Sequence, residues 1–381
     1  MRILGVGIAA AVLVLATGCL REGHPVPAAA PGTTTTTAAA TTTPGGPDQR
    51  LRTGKLAEGL RMAEVLVLPT EIDPAYRRHG SSDVLTSARL VISTGQNNAA
   101  QDAADRNGLL AGFVSQRSTG GADRDWLTHG IMRFPDAAAA EKAADDLQTA
   151  ALTTGGLFDT ERRKPAALPG VPGARYSTLE SRGHTDGMAF VPYRDYVVLT
   201  RVTTATGDIA ATVGRAVERQ RPLLDAFVPT PRDALPDLAY DPGRLMDLSV
   251  GENASGRGVY GPHGALLFAE DQAAAVARYP ELGVDALANK GTTVYRTRDE
   301  AAAGQLAPLL AEAVRAAWEK DPAAAPADVP GARCLGSGTG SANAWVCWVP
   351  VGRYVGEAWG RTETEAHATL REQRAVLAAA K

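Results

Sequence analysis

The residues of this 381-residue chain whose chemistry reads most directly are its three cysteines. Cys19 closes an apolar N-terminal stretch as Leu15-Ala16-Thr17-Gly18-Cys19. A thiol there can be alkylated by diacylglycerol, after which cleavage before Cys19 and acylation of the new amino group leave two or three acyl chains on one residue. Each buried methylene contributes about 0.8 kcal/mol, so one chain binds a bilayer marginally and two or more anchor it. That leaves Cys334 and Cys347, and outside the cytosol an even pair is expected as a disulfide. The pair brackets a Gly/Ser-rich hairpin loop at 336–341, and closing it should contribute roughly 3 kcal/mol. Two thiols alone make a poor metal set. No metal or cofactor site is expected.

Other reactive patterns are hard to assemble. The chain has no Gly-x-Ser-x-Gly elbow, Ser-x-x-Lys set or His-Glu-x-x-His helix. His79, His129, His184, His263 and His367 are scattered without metal-ligand spacing, His24 lies by the N-terminal low-complexity stretch, and all read as solvated or incidental. Asp123 and Asp125 flank Arg124, which suits a solvated turn better than a calcium loop. The glycine loop leads into the strand around Trp345, whereas phosphate-cradling loops open onto a helix N-terminus. No catalytic residue is therefore expected. Four of the five tryptophans, Trp318, Trp345, Trp348 and Trp359, fall in the C-terminal half. With 353–360 as a strand, Gly356, Ala358 and Gly360 share one face. Small residues there admit either a closely packed helix or a ligand. The expectation is an apolar groove formed by Trp345, Trp348, Gly356, Ala358 and Trp359 and suited to a lipid, glycolipid or peptide, set against the plainer reading of indoles as core.

The elements that must position these residues begin with an export signal. Arg2 is a short positive region, residues 3–16 are apolar, and small residues precede Cys19. The stretch resembles the bacterial lipoprotein signal, departing from it in Ala16, where Leu is commonest, and it is short for a membrane span. Residues 1–18 are thus expected as a signal peptide and 19–50 as a tether. Its Thr, Ala, Pro and Gly cannot bury enough apolar area to offset chain entropy, so disorder is expected. Stretched, it would reach about 100 Å from the membrane. The remainder has globular composition, 44% hydrophobic over the whole chain, with 39 basic against 42 acidic residues. No basic stripe suggests nucleic acid, and no second apolar run suggests a span.

The globular part is internally duplicated. Val171-Pro172-Gly173-Ala174-Arg175 recurs 158 residues later as Val329-Pro330-Gly331-Ala332-Arg333, and Val191-Pro192 and Tyr196-Val197 recur at that displacement as Val349-Pro350 and Tyr354-Val355. Asp136 and Asp299 precede Ala-rich helical stretches as N-caps. Leu306, Leu309, Leu310, Ala313, Val314, Ala317 and Trp318 share a helical face in the second of these. Glu218-Arg219-Gln220-Arg221 answers Arg371-Glu372-Gln373-Arg374 in a closing helix, with Thr362 and Glu365 as a capping box for the latter. The displacement sets Tyr176 and Ala189 at the positions of the two cysteines, as a large–small packing pair. The order strand, helix, antiparallel strands, helix predicts two tandem α+β domains, residues 51–228 and 229–381. Each is expected as a mostly antiparallel sheet with helices packed on one face.

The Cys19 start, the Thr/Pro tether, the segment Leu238-Ala239-Tyr240-Asp241-Pro242-Gly243-Arg244-Leu245, and the cysteine pair near Gly352-Arg353-Tyr354 together resemble a family of actinobacterial envelope lipoproteins with a duplicated domain of unknown function. The resemblance implies a compartment, the outer face of the cell membrane, and a non-enzymatic default. The reading is a lipid-anchored binding or interaction module whose partners are the membrane and an envelope lipid, glycolipid or protein. The alternative is a hydrolase or transferase acting on envelope glycolipid or peptidoglycan, and a solute receptor is disfavoured by the element order.

Overall fold

The computed structural model describes residues 46–95, 98–121, 124–153, 161–181, 183–252, 255–337 and 343–380. Cys19, the signal, the tether up to residue 45, Asp123 and the tip of the glycine loop lie outside them. Helix α1 (Pro47–Ala63) begins inside the expected tether, which corrects its end from residue 50. Proline suits a first helical turn, where its missing N–H has no partner to lose.

The first half continues with α2 (Pro69–Ile72), β1 (Arg78–Val84), α3 (Ser87–Thr94), α4 (Asn98–Arg106), β2 (Ala111–Ser118), β3 (Trp126–Arg133) and α5 (Ala137–Thr153). Then come β4 (Lys164–Pro165), β5 (Arg175–Ser181), β6 (His184–Tyr193), β7 (Tyr196–Thr204) and α6 (Ile209–Ala226). The second half holds β8 (Gly258–Tyr260), α7 (Pro262–Leu266), α8 (Gln272–Leu282), β9 (Ala286–Asn289), β10 (Thr293–Arg296), α9 (Glu300–Trp318), β11 (Asp321–Ala323), β12 (Arg333–Gly336), β13 (Trp345–Val351), β14 (Tyr354–Gly360) and α10 (Glu363–Ala379). Two seven-stranded antiparallel sheets result, ordered β1-β2-β3-β7-β6-β5-β4 and β8-β9-β10-β14-β13-β12-β11. The orders are identical strand for strand, so the duplication extends through the N-terminal strands that the sequence matched least well. The fold is α+β in two tandem domains.

One part of the expected architecture is corrected. Helices cover both faces of each sheet. In the central strands apolar residues run consecutively, Met188 to Val191 and Val346 to Val349, and all are buried, so neither face could be left to solvent. In the second domain Val346 and Trp348 pack in the core cluster with α9, while Cys347 and Val349 pack in that with α10. The first domain repeats this with α6 on the face of Val198 and α5 on that of Val197 and Leu199.

The duplicated caps form as expected: Asp136 accepts from the Ala139 amide and Asp299 from Ala302, each at 2.8 Å. The buried Gln220 accepts from the Val67 amide at 3.0 Å and donates to Val65 carbonyl at 2.7 Å. Gln373 does the same, with Val250 at 3.3 Å and Leu248 at 2.6 Å. Each glutamine thus clamps an extended segment across its own domain, which explains the repeated Gln. Cys334 and Cys347 are directly opposed on β12 and β13 and joined as a disulfide, and Tyr176 and Ala189 are directly opposed on β5 and β6.

The domains share one continuous apolar core cluster. The Glu64 carboxylate, just past α1, accepts from the amides of Gly261 (2.8 Å), His263 (3.1 Å) and Gly264 (3.0 Å) at the start of α7. The connection between α1 and α2 and the start of α7 are thereby held against each other.

Candidate functional site

The expected groove does not form. Gly356 and Ala358 lie on the α10 face of β14. A methyl group at Gly356 would sit 2.6 Å from Gln373 Cγ and 3.1 Å from Leu377, and one at Gly360 would sit 2.6 Å from the Ala366 amide. These small residues let a helix approach and leave no room for a ligand. Trp345 lies on the same face, its ring against Gly336. Trp348 and Trp359 are on the opposite face, so the sheet itself divides the five residues.

The structure assembles a different site on that opposite face, between the domains. Glu357, central on β14, is buried, and each carboxylate oxygen accepts an indole N–H: Oε2 from Trp348 at 2.7 Å and Oε1 from Trp359 at 2.8 Å. Burial raises its pKa against the pull of those bonds. Glu357 lines a small cavity, about 40 Å³, with Phe268, Glu270, Tyr279, Tyr295 and Trp359. Burial also holds the Tyr279 and Tyr295 hydroxyls protonated far above neutrality, with Glu357 adding to the shift.

Glu270 links this chamber to the surface. It lines both the chamber and a groove of about 510 Å³ running between α9, the start of α8 and β1, past Arg77, Arg78, Leu309, Ala313 and Ala317. The helical face read from the sequence thus splits: Leu306, Leu310 and Val314 face the core, whereas Leu309, Ala313 and Ala317 line the groove. Trp318 is at its end, beneath the Arg78 guanidinium at 4.8 Å.

Around Glu270 the first domain supplies His79 and Arg117. His79 Nδ1 is 3.9 Å from Glu270 Oε1. Arg117 is fully buried and donates to the carbonyls of Arg77 at 2.7 Å and, in the second domain, Leu267 at 3.3 Å and Ala269. Burial raises the Glu270 pKa to about 7; Trp318 and Arg117 oppose the rise and Glu357 adds to it. Burial, then Arg117, push His79 down to about 3. Near neutrality the 3.9 Å contact therefore joins a neutral imidazole to a carboxyl that holds its proton about half of the time. Glu270 Oε2 is buried, and no protein atom donates to it.

Two histidines read as solvated are corrected here: His79 borders this site, and His129 is fully buried between Thr200 at 3.1 Å and Gln220 at 3.0 Å. Asp125 is tied into a turn by accepting from Thr204 at 2.7 Å. The residues that sequence reading missed are Arg117, Glu270 and Glu357. Two carried a signal, since Arg117 and Glu357 interrupt otherwise neutral strands at positions that face inward. Glu270 lies in a loop, where an acid is unremarkable.

Site and fold together define a duplicated two-domain protein with a cleft between its copies. The chain belongs to the DUF7373 family: the model of that family's N-terminal domain of unknown function matches residues 45–240 and the model of its C-terminal domain matches 223–380. Among solved structures, the extracellular domain of PknH from Mycobacterium tuberculosis is similar over 44% of this chain and 96% of that one, at 16% identity and a TM-score of 0.32. No curated protein matches the sequence. Among the described residues, no helix is long and apolar enough to cross a membrane.

Proposed function

We propose that the protein is a lipid-anchored module of the cell envelope, held on the extracytoplasmic face of the membrane through Cys19, that binds its ligand in the cleft between its two domains without chemical turnover. The anchor rests on the Leu15-Ala16-Thr17-Gly18-Cys19 signal. The binding role rests on one observation: a groove of about 510 Å³ continues into a chamber where a buried carboxyl oxygen has no protein donor. Concave sites with a few convergent polar groups among apolar walls are where ligands bind.

Trp318, stacked beneath the groove residue Arg78, and the chamber residue Trp359 make the cleft its own reporter. Titration with envelope lipids and soluble wall fragments should change their fluorescence, and Trp318→Phe should remove part of the change. A spectrum unaltered by every fraction refutes the cleft as a binding site. Cys19→Ala should release the protein from membranes, and an unchanged membrane fraction refutes the anchor.

One observation favours a hydrolase or transferase of envelope glycolipid or peptidoglycan as a second reading. Glu270 holds a proton near neutrality, as a general acid does. Its acidic neighbour Glu357, however, has both oxygens engaged by indoles and is poorly placed to act as the base. Product release from wall fragments that Glu270→Gln abolishes would favour the enzyme.

A further inference from the structure

Resting on the cleft as a binding site, we infer that its inner chamber takes a primary ammonium group, carried on a slender ligand whose body lies in the outer groove. Four observations converge on this chemistry. Three acids line the same small cavity, Glu270, Glu357 and Asp271, the last capping α8 by accepting from the Ala274 amide at 3.0 Å, and the buried Oε2 of Glu270 has no donor from the protein. Four aromatic rings, Phe268, Tyr279, Tyr295 and Trp359, stand among the aliphatic residues of the remaining wall, and ring faces attract cations most strongly where water is excluded. A hydroxyl group would satisfy Oε2 but would leave the mutual repulsion of the acids unrelieved. A cavity of about 40 Å³ accommodates roughly three water-sized groups, enough for a methylene and an ammonium and too little for a trimethylammonium. The approach along Ala313, Ala316 and Ala317 suits an unbranched chain.

The charges facing Glu270 set the pH dependence. From β1 come Arg78 and the neutral His79, from β2 Arg117, from β14 Glu357, from α8 the protonated Tyr279 and from α9 the Trp318 indole, with Asp271 in the chamber wall and Glu312 and Glu319 along the groove. Arg117 stays charged and His79 stays neutral between pH 5 and 8, so Glu270 and Glu357, both raised by burial, are the groups that titrate against the ligand. A cation needs Glu270 ionised. Affinity should therefore be greatest above pH 7 and fall about tenfold per unit below it, with roughly half a proton released per ligand bound at pH 7.

The test is calorimetry and tryptophan fluorescence of the full-length chain with n-butylammonium chloride, run beside n-butanol and tetramethylammonium chloride. Saturable binding of butylammonium alone is expected, weakened about 100-fold from pH 7.5 to pH 5. Glu270→Gln should lose both the binding and the pH step while Glu357 remains, and a cooperative melting transition would show that it is folded. Nα-acetyl-lysine amide and glucosamine then distinguish a side-chain carrier from an amino-sugar carrier, and whichever binds names the source. Equal binding of butanol, unimpaired binding by Glu270→Gln, or no binding of butylammonium overturns the inference. A fluorescence response to wall fragments that is insensitive to Glu270→Gln would overturn it and leave the binding role of the cleft standing.

Discussion

Replacing Glu270 by glutamine should alter stability in a way that depends on pH, and the sign follows from the site. In the unfolded chain this carboxyl ionises near its ordinary value of 4.5, while in the folded protein burial holds the proton until about pH 7. Between those values folding takes up a proton, so the wild type loses stability as pH rises, by about 1.4 kcal/mol per unit and about 3 kcal/mol in all. His79 works in the opposite sense. Its ordinary value of 6.5 falls to about 3 in the fold, so folding releases a proton across that range and stability is lost as pH falls through it. From pH 4.5 to 6.5 the two cancel, and neither is visible in the wild type alone. Urea unfolding of Glu270→Gln and wild type across pH 4 to 8 should separate them. The variant should gain on the wild type at about 1.4 kcal/mol per unit from 4.5 to 7 and then level off. His79→Gln should show the mirror tilt, gaining as pH falls below 6.5. A difference for Glu270→Gln that stays flat to within about 0.5 kcal/mol would mean that the carboxyl ionises normally and that the cleft is open to water, which refutes the account of the chamber.

Gly356→Ala should cost about 1–3 kcal/mol, since its methyl group would meet Gln373 Cγ at 2.6 Å; a neutral effect in thermal unfolding would reinstate an open groove there. Joint replacement of Cys334 and Cys347 by alanine should cost about 3 kcal/mol from the 13-residue separation they close, read as a lower urea midpoint that reductant no longer shifts. Gln220→Ala and Gln373→Ala should each cost about 1–3 kcal/mol, the first by stranding the buried Val67 amide and the second by freeing the Leu248 carbonyl, since the Val250 amide keeps Thr292 Oγ1 as an acceptor at 3.0 Å; a large effect in only one domain would contradict the equivalence of the two clamps.

What the sequence discloses and what it hides divides along a physical line. Caps, the order of elements along the chain and the cysteine pairing are local or depend on a fixed displacement, and Asp136, Asp299 and the Tyr176–Ala189 pair are legible for that reason. The second helical layer was not, because a run such as Val346 to Val349 is apolar on both faces of a strand and can be read as one half-buried surface. The cleft was least legible. It joins β1, β2, the loop before α8, α9 and β14, positions separated by up to 279 residues between Arg78 and Glu357, and no spacing rule connects a loop acid such as Glu270 to a strand acid such as Glu357. The tryptophans misled for a related reason. Trp345, Trp348 and Trp359 cluster in the sequence as if they formed one wall, yet pleating sends Trp345 to one side of the sheet and Trp348 and Trp359 to the other.

Comparison of the two copies bears on why the acid is there at all. At the displacement of 158, Glu357 corresponds to Leu199, Trp348 to Phe190 and Trp359 to Arg201. In the first copy Leu199 and Phe190 are fully buried in an ordinary apolar core. The same framework therefore packs without a charge, and the second copy combines a buried carboxyl with the two indole donors that satisfy it. Such a group is weak evidence for stability, since hydrophobic replacements of similar volume are often neutral or better. Perturbed buried acids cluster instead at functional sites. The comparison yields a stability test with an internal control. Glu357→Leu alone should destabilise by about 1–3 kcal/mol, because the Trp348 N–H loses its acceptor in a fully buried position. Adding Trp348→Phe, which restores the pairing of the first copy, should recover much of that loss, with a coupling of about 0.5–3 kcal/mol. The recovered protein should melt near the wild type and no longer bind butylammonium. If the double variant is no more stable than Glu357→Leu, the carboxyl and its indoles are a structural unit of the second domain, and their departure from the first copy is no guide to function.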